Sequence, residues 1–314
     1  MRILIALLLI AAAAFVGTTF VEHHKSDPAN PFVPLFSHLM PAPLVTNAHA
    51  MEHEHAAPQY LVPPITVSQD TLAFDAAPEI SGTQFIFTNL QLFQVTAVLL
   101  LIVCFSGVPS YLRTGRGDYL SKIFAGFAMW VRDEMVYAVM GKEVGKKFLP
   151  YFLTLFFFIV FMNVIGLFPG TATATASVFV TAGLALLTLV VMLFGGMIAQ
   201  GPFTYWKTLV PHVPWFVWPI MFIVELVGIF VKPFALMIRL FANMTGGHMV
   251  VLSFMGLLFL MAHGMGKVAY AGAPVVVGFA VFIMIIESFV ALLQAYVFTM
   301  LSILFIQASI HPEH

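Results

Sequence analysis

The sequence predicts an all-α, polytopic membrane protein with about five membrane helices. Two of these are long, tilted helices paired as an antiparallel hairpin, and an amphipathic helix lies on the cytoplasmic surface. Three observations predict this class. Of 314 residues, 61% are hydrophobic and 9% charged, with a mean hydropathy of +1.00, whereas soluble domains carry roughly a quarter charged residues. From Phe148 to Pro312 the only Asp, Glu, Lys or Arg are Lys207, Glu225, Lys232, Arg239, Lys267 and Glu287. Finally, the apolar runs repeatedly reach the roughly 20 residues that a helix needs to cross a hydrocarbon core.

The N-terminus, Met1 to Phe15, has a basic start, an apolar core and then small residues. That is the pattern of a secretory signal, with an uncleaved anchor as the alternative for residues 1–20. Such a start suits a bacterial inner membrane protein. Residues 21–85 form a His/Pro-rich tail with little apolar periodicity. Between residues 21 and 88 the chain holds seven acids, six histidines and only Lys25, so this stretch is assigned to the extracytoplasmic side. The spacing of His49, His53 and His55 fits no single helix face, and the cluster reads as a solvated tail rather than a metal site.

A first span is expected near Leu90 to Leu112. Seven of the thirteen basic residues follow within Arg113–Lys147, which makes this segment cytoplasmic by the positive-inside rule. Within it, Leu120, Ile123, Phe124, Phe127, Trp130 and Val131 recur at roughly helical spacing among Lys122, Arg132, Asp133 and Glu134. Asp118–Val144 therefore reads as a surface helix, or as a docking segment around Arg132–Glu134. Spans over Phe148–Phe168 and Val178–Ile198 flank Pro169-Gly170 and a Thr/Ala stretch. Gly201–Pro214, with Lys207 and His212, is expected to be a cytoplasmic loop.

Residues 215–260 are nearly continuous helix-compatible sequence, about 70 Å at 1.5 Å per residue and twice what one crossing requires. A turn at Lys232-Pro233 would have almost no polar residues, so one tilted helix, kinked at Pro233, is preferred. Residues 261–273 make a turn, and Pro274–Ser309 forms a second overlong helix that places the C-terminus in the cytoplasm. If the turn centres near residue 267, Arg239 lies opposite the neighbourhood of Gln294 and His248 opposite Glu287. At about 100° per residue, Asn243 and Glu225 each fall about 40° from Arg239, while His248 points the other way. Lys232 and Lys267 either snorkel or sit in loops.

No phosphate loop, CxxC pair, Ser nucleophile motif or repeat of 20–50 residues occurs. The lone Cys104 has no intrachain disulfide partner. No catalytic residue, cofactor, metal or nucleic-acid partner is assigned, and ATP chemistry is not expected in this chain. An arginine within an apolar helix costs about 2.5–3.5 kcal/mol on insertion scales and faces a wet cavity or an anionic partner. Arg239 is thus a functional candidate, with a structural salt bridge to Glu225 or Glu287 as the plainer reading.

Arg239-Leu-Phe-Ala-Asn243-Met-Thr-Gly-Gly-His248, together with Glu225, Leu293-Gln294-Ala295-Tyr296 after Glu287, and Asn163-Val-Ile-Gly-Leu-Phe-Pro169, resembles the a subunit of the F-type ATP synthase Fo sector. The resemblance covers about residues 85–310 and implies an ion-channel domain over residues 86–314. It implies a stator, one copy per hetero-oligomeric complex, beside a c-ring and peripheral-stalk b subunits in the lipid bilayer. Two offset half-channels would carry protons to and from the ring.

By that resemblance Arg239 faces the ring and separates the half-channels. His248 and Glu287 line the inner end of one, in reversed order relative to some members that carry Glu first and His second. Gln294 would be a partner beside Arg239, with Asn243 on the same stripe. Asn163 would line the external half-channel and Glu225 the cytoplasmic one. A packing pair stands as the alternative for His248 with Glu287, and interhelical hydrogen bonding for Asn163, Gln294 and Glu225. An independent secondary transporter with an Arg239 anion site is the competing class, although no inverted repeat accompanies it.

Overall fold

A computed structural model describes residues 2–19, 65–66, 84–85, 88–167, 173–209, 216–265 and 269–311, with isolated positions 44 and 214. Its helices are α1 (Arg2–Thr19), α2 (Asn89–Phe105), α3 (Val108–Thr114), α4 (Tyr119–Trp130), α5 (Ala138–Gly166), α6 (Val178–Gln200), α7 (Pro202–Thr208), α8 (Trp218–Met265) and α9 (Ala269–Ile310). A π-helical segment, Val131–Tyr137, joins α4 to α5, and a 3₁₀ turn, Ala174–Ala176, precedes α6. Five of these helical stretches are long and apolar enough to cross a membrane. The 21–85 tail, including its His49–His55 cluster, lies outside the described residues. The exceptions are Leu44 and a two-residue antiparallel ladder of β1 (Ile65–Thr66) with β2 (Gln84–Phe85).

Local chemistry explains the element ends. Thr88 and Gln91 form a capping box at the start of α2, the Thr88 backbone N–H donating to Gln91 Oε1 at 3.0 Å. The expected first span is broken at Ser106-Gly107 into α2 and α3. The expected surface helix has no coil after it: helical structure runs from Tyr119 to Gly166, bent at Gly141, whose φ of 70° and ψ of 169° a residue with a side chain rarely adopts. The expected 201–214 loop contains α7, started by Pro202; His212 lies outside the described residues.

The two overlong helices are 48 and 42 residues. Both run further into the expected 261–273 turn than the sequence reading placed them, leaving only residues 266–268, Lys267 among them, outside the described residues. Met, Ala and Leu favour helix and prolong it past the glycines. α8 and α9 pack along each other; α9 also lies against α5 and α6, and α8 against α6. Phe152, Ile159, Met162, Leu236, Leu240, Met244, Ala295 and Phe298 fill the shared core, each 1% exposed or less. Phe105 packs edge-on against Phe157 and Phe124, with centroids 4.7 and 5.5 Å apart, tying α2 and α4 to α5.

α1 packs along α2, with Ala13 buried and Ala6, Leu9 and Ile10 against the core. Arg2 closes this contact: Nη1 donates to Ser121 Oγ at 2.8 Å and lies 3.7 Å from Asp118 Oδ2. A Cβ on Gly107 would stand 1.7 Å from that nitrogen, so the bare glycine makes the seat.

Candidate functional site

Three polar groups are spaced along the α8–α9 hairpin. The first gathers Asn163 of α5, Thr173 and Thr175 of the connection, His248 of α8 and Glu287 of α9. His248 Nε2 lies 3.6 Å from Glu287 Oε1 and is hydrogen-bonded to Thr173 Oγ1. Glu287 is 6% exposed, and Oε1 has no hydrogen-bond partner. Gly247 makes room for this carboxylate, since a Cβ there would stand 2.6 Å from Oε1. Burying a carboxylate requires a hydrogen-bonded or charged neighbour, or a proton; the imidazole is the titratable neighbour here.

Asn163 is fully buried and engaged at both polar atoms. Nδ2 donates to the Ala291 carbonyl at 3.0 Å, and Oδ1 accepts from Thr175 Oγ1 at 2.8 Å. Ala291 lies one turn after Glu287 and nearly one before Gln294, so this side chain clamps α9 between them. The sequence reading missed Thr173 and Thr175. Their signal was the alternation Thr171-Ala-Thr-Ala-Thr-Ala-Ser177 after Pro169-Gly170, a short connection with hydroxyls too regular for a solvent loop.

The second group is Asn243 with Gln294: Nδ2 donates to Oε1 at 3.5 Å, and Gln294 Nε2 is buried without a partner. Arg239 lies one turn before Asn243 on the exposed surface of α8. The hydrogen bond recorded for Gln294 goes to Asn243, not to Arg239. Among the described residues the ion pairs are Arg2–Asp118, Arg132–Asp133 and His248–Glu287. The expected alternative of an Arg239 bridge to Glu225 or Glu287 therefore has no counterpart among them.

The third group surrounds a cavity of about 730 Å³ lined by Glu225 and Lys232 of α8, Gln200 and Tyr205, and Gln307 and His311. Gln200 Nε2 donates to the Ser309 carbonyl at 2.7 Å, and Lys232 Nζ sits 5.9 Å from the Phe305 ring centroid. Gln307 Oε1 is buried and unpartnered. At 1.5 Å per residue, Glu225 lies about 21 Å from Arg239 along α8, and His248 about 14 Å beyond it. A cation thus stands between two polar sites that do not meet.

Residues 91–307 match the family model described as ATP synthase A chain. The chain belongs to that family. The ATP synthase subunit a of Myxococcus xanthus is 46% identical over 194 residues, 62% of this chain and 62% of that protein. The corresponding protein of Anaeromyxobacter dehalogenans is 42% identical over 219 residues, 69% of this chain and 55% of that one. That of Chloroherpeton thalassium is 38% identical over 241 residues, 75% and 70% respectively. The chain thus spans little more than half the length of the first two relatives. The first two polar groups and all of the third but Ser309 and His311 fall within the matched region, whereas α1 and the 21–85 tail precede it.

Proposed function

We propose that this chain is the proton-conducting stator of a rotary ATP synthase, passing protons between two offset half-channels and the carboxylates of a c-ring. One observation carries the reading: Arg239 stands on an exposed apolar face with no ion pair among the described residues. A guanidinium there needs an anion from outside the chain. Arginine stays charged at any physiological pH, so it does not relay protons but favours the ionised form of an approaching carboxylate. A ring carboxylate gives up its proton on meeting Arg239 and takes one on the far side.

The His248–Glu287 group is then the inner end of one half-channel and the Glu225 cavity the other. Their separation on either side of Arg239 supports this arrangement. Each proton crossing 100 mV delivers about 2.3 kcal/mol, and offset channels direct that energy through rotation. Asn243 and Gln294 line the passage beside Arg239, and Asn163 holds α9 in register. Partners are the c-ring and the b subunits of a peripheral stalk, in a bacterial inner membrane with the basic loop and C-terminus cytoplasmic. Of the two readings for α1, its docking through Arg2 supports a resident anchor.

Arg239→Ala, in vesicles holding the assembled complex, is expected to abolish ATP-driven proton pumping and raise passive leak while assembly is retained. Unchanged coupled pumping would overturn the reading. Anion uptake without a ring, lost in the same variant, would favour the transporter class.

A further inference from the structure

The connection between α5 and α6 carries a hydroxyl that the half-channel reading does not use. Thr173 is 1% exposed, and its Oγ1 meets both His248 Nε2 and, at 3.3 Å, the Gly166 carbonyl. The seat is made for it: a Cβ on Gly166 would stand 2.2 Å from Oγ1. The same nitrogen of His248 faces Glu287 Oε1 at 3.6 Å. Resting on the proton-path reading above, we propose that Thr173 is a positioning residue, whose hydroxyl holds His248 Nε2 toward Glu287 in both protonation states of that nitrogen.

The donor count explains why a hydroxyl serves here. It has one hydrogen and two lone pairs. With the hydrogen on the Gly166 carbonyl, Oγ1 accepts from a protonated Nε2. Once the N–H leaves Oγ1 and Nε2 closes from 3.6 Å to hydrogen-bond distance of Glu287 Oε1, the proton passes, breaking N–H and forming O–H, and the hydroxyl rotates to donate to the bare nitrogen. The reverse transfer restores the first arrangement. A carbonyl could serve only the first state and an ammonium only the second. The ring therefore has the hydroxyl as its partner before and after the transfer, with Nε2 kept on the side that faces the carboxylate.

The test compares native, Thr173→Val and Thr173→Ser complexes in vesicles, reading ATP-driven pumping and passive proton flux per assembled complex, with Arg239→Ala as control. Valine keeps the shape and removes the hydroxyl; it is expected to lower both rates roughly five- to tenfold, as for a lost hydrogen bond, while serine stays within about twofold of native. If Arg239→Ala abolishes coupled pumping but Thr173→Val matches native, this proposal fails and the path reading stands. If Arg239→Ala pumps normally, the path reading itself fails. Should valine prevent assembly, Thr173→Ala takes its place; failure of both to assemble, or serine as slow as valine, would assign Thr173 to packing and overturn the proposal.

Discussion

At the scale of single residues, the site depends on side chains whose hydrogen bonds reach across elements. Asn163 holds two buried hydrogen bonds, one to α9 and one to the connection. Asn163→Ala strips the acceptor from the buried Thr175 hydroxyl, costing about 1–3 kcal/mol when left unsatisfied, and removes the tie to the Ala291 carbonyl, which keeps its own bond within α9. The expected outcome is a lower melting temperature of the purified chain, with Asn163→Asp intermediate because it keeps the acceptor for Thr175. Equal stability of native and alanine forms would show that water replaces the amide. Such roles are only half legible in sequence. Arg239, His248 and Glu287 stand out because charge in an apolar run is costly, whereas Thr173 and Thr175 cost little anywhere, and only the fold shows which hydroxyls face inward.

At the scale of elements, what could be read was length and polarity; what could not was continuity. The 1.5 Å rise fixed two overlong helices, and antiparallel arithmetic brought His248 to Glu287. The join between the surface segment and the next span turns on one residue, Gly141, whose positive φ is invisible in composition. Gly141→Val places a β-branched residue where φ is 70°, and loss of roughly 1–3 kcal/mol of stability is expected, read as a lower urea midpoint at unchanged helix content. An unchanged midpoint would mean that the bend shifts elsewhere at no cost. The α1 helix makes a second case: its apolar core suits removal as well as retention, and Arg2 in the Gly107 seat is the contact that favours the proposal of a retained anchor. Intact mass of the purified chain is expected to include residues 1–20, and a start downstream of residue 20 would show that α1 is removed.

Across the whole molecule, the distribution of uncovered surface is uneven. Only 17% of the apolar stretch in α8 and in α9 is buried within the chain, against 44% for Tyr119–Gly166. Around Arg239 that surface is also flat. Ala235, Ala242 and Gly246 share its side of α8 and are exposed, and a Cβ on Gly246 would meet nothing within 4 Å. Small residues let helix backbones approach closely in membranes, so on the proposed stator reading a ring helix brings its carboxylate to the guanidinium here, which bulky neighbours would forbid. Ala242→Trp fills that space without touching the chain's own core. The expected result is a native melting temperature for the isolated chain and coupled pumping reduced at least about fivefold by overpacking at the interface. Val98→Trp, on the exposed side of α2, should leave pumping within about twofold by the same steric logic. Normal pumping in the Ala242 variant would mean that the ring approaches Arg239 from elsewhere, and equal losses in both would mean that the bilayer, not the ring, senses the added bulk.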